Sequence, residues 1–467
     1  MTRFGRILLL IVVAGFGIRV AYVAIEKRGP CVIKLADGTP VGSSPSQCAV
    51  GDQLFYNSEA NFVAKGHGFN EALVGVQHPG TRPGPAADHP PLTVFVLTPV
   101  SWLVDHPPLS WFISESLNDH MREHRYTMVV LGTLLVLLIG LLGRRIGGDS
   151  VGLVAAGIAA VSPNIWVNDG LVMSETITGL TVVGAMILAL ELRRRPTPVI
   201  AAALGLLCGL AALARAEMVL FIPLLAIAVP LAIRLSWRER AGLSAIAAGV
   251  ALLTLAPWVA FNMARFDQPT WTSTNDGIAL LGSNCDFVYY GPNIGLTSIS
   301  PGPNDCLQDP PPPGDQSDVA KIYRKRAFDY ISDHKSRLPF VVMARIGRTW
   351  GVYRVGDMVW FNEGEGRERW ITRLGVIVLY PTLLLAIVGS VVLWRRRQRA
   401  ALWVLLVPAI VVTIGSALTY GQTRFRAAAE PSLAILAAVA VIATVRMFRA
   451  SDSETWTPVE AEPTTVS

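Results

Sequence analysis

Seven ionisable residues lie at the edges of long apolar segments, where a charge is costly and therefore points to a function. They are Asp52, Asp169, Glu175, Arg215, Glu217, Arg424 and Arg426. A carboxylate that is shielded from water can remove a proton from a hydroxyl group, and arginines can stabilise a departing phosphate. With Arg19 near the end of the first apolar segment, the set predicts a single polar chamber.

Each residue also has a simpler explanation. Asp52 could serve only as a helix N-cap. Arg215 and Glu217 could form only an ion pair at the membrane interface, and Arg424 and Arg426 could merely extend their charged heads toward it. These alternatives stay open for any one residue, and the set as a whole favours the chamber.

The elements that must position these residues are membrane-spanning helices. Of the 467 residues, 52% are hydrophobic and 16% charged, against roughly 25% charged in an ordinary soluble domain. The mean hydropathy is +0.45, and the apolar residues are concentrated in long runs. These figures exclude a soluble enzyme, a collagen-like chain and a disordered chain. The net charge of +6 mainly reflects orientation signals, so we expect no nucleic-acid partner.

We predict an all-α polytopic membrane protein with about ten transmembrane helices, or 11–13 if re-entrant or extra spans are present. The ten segments are residues 7–25, 127–143, 151–165, 172–192, 198–214, 217–235, 241–261, 371–394, 400–419 and 431–446. Residues 92–104 and 339–361 are too short or too charged to span with ease. Their tryptophan and tyrosine content predicts amphipathic helices at the outer interface.

Arginine-rich connections set the predicted orientation. They contain Arg144 and Arg145, residues 193–195, residues 234–240, residues 395–399, and Arg446 with Arg449. The positive-inside rule places all of them, and both termini, in the cytoplasm. The predicted regions are the first helix (1–26), a first extracytoplasmic loop (27–126), helices 2–7 (127–261), a second extracytoplasmic loop (262–370), helices 8–10 (371–446) and a disordered cytoplasmic tail (447–467).

The cysteines agree with this sidedness. Cys31 and Cys48 lie in the first outward loop, Cys285 and Cys306 in the second, and Cys208 alone lies in an apolar segment. Two close pairs on the outward side predict two local disulfides, although four unrelated thiols could share that side by chance. Cys208 is expected to behave as a small apolar residue.

The second outward loop also contains Asn275, Asn284 and the proline run 310–313. A disulfide and consecutive prolines would stiffen it, so we interpret it as a lid over the chamber that takes part in acceptor recognition. A surface loop with no role in acceptor recognition explains the same residues equally well.

The motifs occur in one order along most of the chain. They are Gly51-Asp52-x-x-x-Tyr56, Ala60-Asn61-x-x-Ala64-x-Gly66-x-Gly68-Phe69, Asp88-His89-Pro90-Pro91-Leu92, Ser162-Pro163, Ser174-Glu175, Arg215-Ala216-Glu217, Pro257-Trp258-x-x-x-Asn262, and Arg424-Phe425-Arg426 ahead of Pro431. This ordered set resembles the integral-membrane GT-C glycosyltransferases. The nearest branch is that of the protein O-mannosyltransferases and lipid A aminoarabinose transferases.

The resemblance implies transfer of a sugar from a polyprenyl-phosphate carrier to an acceptor on the extracytoplasmic side, usually with inversion. Asp52 would be the general base for the acceptor hydroxyl. Arg424 and Arg426 would contact the carrier phosphate, and Arg215 is expected to join them. The residues expected to bind the acceptor, the sugar or a cation are Tyr56, His89, Asp169, Glu175 and Glu217.

The chain departs from its relatives at two motifs. Relatives often have Arg-Pro-Glu where this chain has Arg215-Ala216-Glu217, and some have Lys-Pro-Pro where this one has His89-Pro90-Pro91. The second departure weakens a phosphate-binding role for His89, because imidazole is mostly neutral at pH 7. His67, His78 and His89 share the first loop with acidic residues, so a divalent cation is a candidate cofactor, without tight ligand spacing.

Two other classes of function are compatible with a polytopic chain. A transporter or flippase should carry charges near the middle of its helices and show internal repeats, whereas this chain keeps its polar groups at one end. A catalytically silent scaffold is the second alternative. The predicted partners are a polyprenyl-phosphate-linked sugar, a glycan, lipid or protein acceptor, and membrane lipids. The Arg- and Ala-rich composition suggests the plasma membrane of a high-GC bacterium and a cell-envelope acceptor.

Overall fold

The computed structural model describes residues 2–27, 51–72, 84–106, 120–298, 306–307 and 311–448. Within these ranges all regular structure is helical, and the only β-type pairing is an isolated bridge between Asn70 and Pro85. The predicted all-α fold is therefore confirmed.

In the described part of the chain, seven helices are long and apolar enough to cross a membrane. They are α1 (Arg3–Glu26), α4 (Met121–Gly147), α7 (Glu175–Arg194), α10 (Trp237–Met263), α16 (Arg369–Arg395), α17 (Arg399–Leu418) and α18 (Glu430–Phe448). Each one overlaps a predicted span. These helices form the frame that carries the loops.

The other three predicted spans are short or broken. The segment 151–165 becomes α5 (Asp149–Val161), which is followed, across a bend of 61°, by α6 (Pro163–Trp166) and a 3₁₀ turn, Val167–Gly170. The bend occurs where Pro163 starts the new helix, because proline cannot donate the hydrogen bond that would continue the old one. Counting this pair as one span gives up to eight candidates by length and composition.

The segments 198–214 and 217–235 form shorter apolar helices. The first is α8 (Pro198–Ala214), and the second, Ala216–Leu231, consists of a 3₁₀ turn, a π-helix over Ile222–Ile227 and α9 (Ala228–Leu231). At 1.5 Å per residue, a helix of 17 residues is about 25 Å long, close to the lower limit for a membrane span.

Small residues allow the long helices to approach closely. A Cβ added at Gly389 would lie 2.0 Å from the carbonyl oxygen of Leu436 in α18, and one at Gly205 would lie 2.1 Å from that of Ala247 in α10. Contacts of this kind between glycine and backbone are typical of helix pairs in membranes.

The arginine-bearing ends of several helices meet at one end of the bundle. Arg144, at the end of α4, stacks on Phe4 near the start of α1, and Arg145 pairs with Glu191 near the end of α7. This shared end agrees with the predicted distribution of arginines. The side of the membrane that it faces stays a prediction.

The opposite end of α1 contacts the second loop region. Tyr22 donates a 2.8 Å hydrogen bond to Glu368, and Lys27 pairs with the same carboxylate at 2.5 Å. We call this the loop end of the bundle. It includes α2 (Asp52–Ala64) and α3 (Leu92–Asp105), so residues 92–104 are helical as expected.

The second loop region is mostly helical as well. It contains α11 (Asn275–Gly282), α12 (Asp286–Tyr289), a 3₁₀ turn at Gly291–Asn293, α13 (Gln316–Asp333), α14 (Leu338–Thr349) and α15 (Val355–Gly364). A disulfide joins Cys285 to Cys306, as predicted, and Cys208 is a buried free thiol. The other predicted pair, Cys31 and Cys48, lies outside the described residues.

Two contacts fix this loop region on the bundle. Trp350 donates a hydrogen bond to Thr413 of α17, and Tyr380 of α16 donates one to the carbonyl of Gly351. The predicted amphipathic segment 339–361 thus forms α14 and α15, which are separated by a turn at Gly351 with φ of +68°. Its contact with a membrane surface stays a prediction.

Candidate functional site

Asp52 is the first residue of α2, and Gly51 before it has φ of +58°, which glycine adopts at little cost. Gly51, not Asp52, is the N-cap residue, and it makes no side-chain capping bond. The simple N-cap explanation of Asp52 therefore does not describe the structure. Its carboxylate lies at the positive end of the helix dipole, which favours the ionised form.

A buried polar network holds α2 against its neighbours. Ser101 of α3 donates a 2.7 Å hydrogen bond to Asn61, and its hydroxyl lies 2.9 Å from Nε2 of His124 in α4. Nδ1 of His124 lies 2.8 Å from the amide oxygen of Asn57. Since Asn57 and Asn61 belong to the helix that begins at Asp52, this network fixes the position of Asp52.

Asp52 forms an ion pair with Arg424, which lies in the connection between α17 and α18. An Nη of Arg424 lies 2.7 Å from Oδ2 of Asp52, and Nε2 of His89 lies 3.4 Å from Oδ1. Burial alone would raise the pKa of Asp52, but the charge of Arg424 and the contact with His89 outweigh it and hold the pKa well below its usual range. The carboxylate is therefore ionised at neutral pH.

His89 lies just before α3 and packs between two aromatic rings of α2. Its ring centroid is 5.0 Å from that of Phe55 and 5.2 Å from that of Tyr56. Burial, reinforced by the nearby charge of Asp52, raises the pKa of Tyr56. Its hydroxyl therefore stays protonated and can donate a hydrogen bond.

Arg424 lies in a 3₁₀ turn, Thr423–Ala428, between α17 and α18. Its Nε donates a 2.9 Å hydrogen bond to Gln422 and lies 3.4 Å from Glu365. Its side chain is 8% exposed. Burial would lower the pKa of Arg424, but Asp52 and Glu365 raise it well above the usual value, so the guanidinium stays charged.

Glu175 lies at the centre of three guanidinium groups. Its Oε1 is 3.3 Å from Arg215, 3.9 Å from Arg367 and 4.0 Å from Arg424. It is the first residue of α7, and its side chain is 2% exposed. The structure thus brings together the predicted residues Asp52, Glu175, Arg215 and Arg424, which are far apart in the sequence.

Arg215 is the cap residue at the end of α8. Its Nε lies 2.7 Å from Glu217, and its guanidinium lies 5.0 Å from the ring centroid of Phe425. The expected ion pair between Arg215 and Glu217 is present, and it forms part of the cluster.

A cleft adjoins this cluster. Three arginines (Arg367, Arg424 and Arg426) line it together with apolar side chains of α16 such as Ile371 and Leu379. A cleft that combines cationic groups with an apolar wall suits a molecule that has an anionic head and a hydrocarbon tail.

Arg426 also lines the cleft, but it pairs with a carboxylate other than Asp52. Its Nε lies 2.6 Å from Glu430, and its Nη donates a 2.9 Å hydrogen bond to the carbonyl of Thr349. The side chain is nearly inaccessible. Arg426 thus also connects α18 to α14.

Asp169 is held in a different contact. Nε of Arg19 lies 2.6 Å from its Oδ2, and Thr176 donates a 2.7 Å hydrogen bond to its Oδ1. Gly132 of α4 provides the room, because a Cβ there would overlap the carboxylate. Asp169, which we expected at the acceptor or cation site, and Arg19 therefore link α1 to the 3₁₀ turn after α6.

Among the described residues, one group of three carboxylates has ligand atoms close enough together to hold a metal ion: Asp267, Asp315 and Asp318 in the second loop region. Asp315 is the N-cap residue of α13 and already accepts hydrogen bonds from the backbone amides of Ser317 and Asp318. The carboxylate of Asp315 is thus engaged in helix capping.

The predicted histidine ligands do not converge within the described residues. His67 stacks on Phe62 with ring centroids 4.5 Å apart, and His89 contacts Asp52. His78 lies outside the described residues.

Sequence reasoning missed Arg367, Glu365 and Asn168. Arg367 binds Glu365 at 2.9 Å and donates a 2.8 Å hydrogen bond to Asn168. Tyr420, next to Arg424, was also missed, and burial raises its pKa. The available signal was the dense charge of residues 363–369 beside a predicted interfacial segment.

Comparison with known proteins gives one family match. Residues 105–261 match the sequence model of the family described as dolichyl-phosphate-mannose-protein mannosyltransferase. No curated protein matches the chain.

Solved structures of archaeal oligosaccharyltransferases share the fold. AglB, an oligosaccharyltransferase from Archaeoglobus fulgidus in complex with an inhibitory peptide and a dolichol-phosphate, matches with a TM-score of 0.53 and 13% identity; the match covers 98% of this chain and 53% of AglB. An oligosaccharyltransferase from the same organism, tethered to an acceptor peptide with the NVT sequon, matches with a TM-score of 0.53 and 14% identity, covering 95% of this chain and 51% of that enzyme. ArnT from Cupriavidus metallidurans, bound to undecaprenyl phosphate, gives a TM-score of 0.39 and 12% identity, covering 94% of this chain and 78% of ArnT. The chain spans about half the length of the archaeal enzymes.

Proposed function

We propose that this chain is a GT-C-type membrane glycosyltransferase, which its fold and the family match over residues 105–261 support. It transfers a sugar, with inversion, from a polyprenyl-phosphate carrier to a hydroxyl of a cell-envelope acceptor. The reaction takes place at the loop end of the bundle, on the extracytoplasmic side of a bacterial plasma membrane. The donor is a lipid-linked sugar, and the acceptor is a glycan, a lipid or a protein.

One observation carries this proposal. A carboxylate, Asp52, lies 2.7 Å from a buried arginine, Arg424, and the same arginine lines a cleft that also has apolar walls. Proton acceptor and phosphate ligand are therefore adjacent, as a displacement on a sugar phosphate requires. The archaeal enzyme with this fold was captured with a dolichol-phosphate, which is consistent with a lipid-phosphate donor.

One bond forms and one bond breaks in the proposed step. The acceptor oxygen forms a bond to the anomeric carbon, and its proton passes to Asp52. The bond from the anomeric carbon to the phosphate oxygen breaks, and the electron pair leaves with the polyprenyl phosphate. Attack opposite the leaving group inverts the anomeric configuration.

Arg424 has two roles in this scheme. Before the donor binds, it pairs with Asp52 and keeps that carboxylate a weak base. When the phosphate arrives, Arg424 moves toward it, and Asp52 loses its cation. The pKa of a half-buried carboxylate then rises, which makes it a better proton acceptor.

The other cluster residues assist at the phosphate and the acceptor. Arg367, Arg426 and Arg215 add positive charge where the leaving group becomes more negative, which stabilises the transition state. His89, which contacts the oxygen of Asp52 that Arg424 does not bind, and Tyr56, whose ring packs on His89, bind the acceptor or the sugar. We assign Asp169 to the ion pair with Arg19 rather than to a ligand.

A transfer assay with purified chain tests the proposal. We expect the wild type to release polyprenyl phosphate from a lipid-linked sugar and to glycosylate the acceptor. Asp52→Asn should lower the rate by about 10²–10⁴-fold, the usual contribution of a general base. Asp276→Asn is the matched control, because Asp276 is an exposed partner of Arg324 in the second loop region. Wild-type transfer by Asp52→Asn would rule out this base.

A further inference from the structure

Glu175 has an unusual environment for a carboxylate. Three guanidinium groups, those of Arg215, Arg367 and Arg424, lie 3.3–4.0 Å from one of its oxygens. Its second oxygen, Oε2, is buried and accepts no hydrogen bond. A buried acceptor without a donor is costly, so the position is maintained at the expense of stability.

None of the three arginines depends on Glu175 for a partner. Each has a carboxylate of its own at shorter range: Glu217 for Arg215 at 2.7 Å, Glu365 for Arg367 at 2.9 Å, and Asp52 for Arg424 at 2.7 Å. Four carboxylates therefore face three guanidinium groups. Glu175 is the surplus negative charge, and it lies between the cations that would bind a phosphate.

We infer that Glu175 is a positioning residue that keeps the three arginines directed at one point and weakens their hold on the carrier phosphate. This inference rests on the proposed function, since it concerns the phosphate of that donor. Its consequence is turnover: polyprenyl phosphate is both the leaving group and a product, and it must depart before the next donor binds.

The direction of the effect follows from Coulomb's law. A phosphate that contacts the arginines comes within several ångströms of the Glu175 carboxylate, and like charges at that distance repel. With an effective dielectric constant of about 20–40 and a separation of about 6 Å, the repulsion weakens phosphate binding by on the order of tenfold or more. Glu175 acts through the arginines and needs no contact with the sugar.

The experiment compares Glu175→Gln with the wild type, both as full-length protein in detergent or nanodiscs. The probe is farnesyl phosphate, whose dissociation constant is measured directly. We expect this constant to fall by about tenfold in Glu175→Gln, because the amide keeps the shape but lacks the charge. In transfer assays, kcat and the KM for the donor should both fall, and inhibition by added polyprenyl phosphate should become stronger.

Asp276→Asn is the matched control. Asp276 lies in the second loop region, where it pairs with Arg324 instead of with any of the three arginines, and its side chain is 53% exposed. Removing its charge should change the dissociation constant by less than about threefold, because solvent screens an exposed charge more strongly. Glu175→Ala serves if the glutamine variant does not fold, and it should shift the constant in the same direction.

Three outcomes would overturn the inference. An unchanged or weaker affinity for farnesyl phosphate in both Glu175 variants would exclude the repulsive role. A higher KM for the acceptor, with an unaltered phosphate affinity, would assign Glu175 to acceptor binding instead. If the wild type itself does not bind farnesyl phosphate, the phosphate site fails and with it the proposed function, a result distinct from the other two.

Discussion

Replacing Arg424 by glutamine should change the pH dependence of transfer in a defined direction. The guanidinium of Arg424 lies 2.7 Å from the carboxylate of Asp52 and holds its pKa well below the usual range. Asp52 must be ionised to accept a proton, so the rate falls as the pH drops through its pKa. The wild type should therefore show no acidic limb from Asp52 in the ordinary range for aspartate, about 3.9.

The size of the shift follows from the charge separation. Two unit charges about 4 Å apart interact by about 4 kcal/mol at an effective dielectric constant of 20, or about 3 pKa units. The Asp52 side chain is 24% exposed, so solvent reduces this value. Arg424→Gln should raise the acidic limb of kcat/KM by roughly 1–3 pH units, since burial then acts without an opposing charge.

The assay is kcat/KM for the donor, measured at saturating acceptor and at donor concentrations below KM, over the pH range in which both proteins stay folded. The variant should also be slower at every pH, because it lacks the arginine that contacts the phosphate. The pH at which its acidic limb lies does not depend on this overall loss of rate. Arg426→Gln is the control: Arg426 pairs with Glu430, so the limb should stay in place. A limb that does not move in Arg424→Gln would refute the coupling between Arg424 and Asp52.

Two further predictions concern stability. Replacing Cys285 and Cys306 with serine should lower the free energy of unfolding by about 3 kcal/mol, because the disulfide closes a loop with a sequence separation of 21 residues. Thermal unfolding measures this loss of stability, and reduction of the wild type should cause an equal loss. Asp169→Leu should destabilise by about 3–5 kcal/mol because it leaves the buried Arg19 unpaired, and the double variant with Arg19→Met should recover most of that loss. Additive losses in the double variant would show that the two residues do not act as a pair.

The fold was largely predictable because membrane helices leave a local signal. A run of apolar residues such as 371–394 predicts its own helix, and the structure forms α16 there. The break at Pro163 and the π-helix at Ile222–Ile227 were not predicted, because they depend on packing against other helices. The family match over residues 105–261 and the shared fold agree with the resemblance to GT-C glycosyltransferases.

The site was predictable in its residue types and less so in its pairings. Asp52 and Arg424 were both expected, but they lie 372 residues apart, and nothing local specifies their contact. Arg367 was missed because its partner Asn168 lies 199 residues away. Asp169 was expected to bind the acceptor, the sugar or a cation, as was Glu175. The carboxylate of Asp169 instead contacts Arg19, since the chain turns between these residues.

The most direct test of the central claim is a structure of the full-length chain with polyprenyl phosphate, a product common to every sugar that the donor could carry. We predict that the phosphate lies between Arg367 and Arg424, with its isoprene units along the apolar wall formed by α16, and that Arg424 has moved away from Asp52. A phosphate bound outside this cleft, or Arg424 still paired with Asp52 beneath a bound phosphate, would contradict the account.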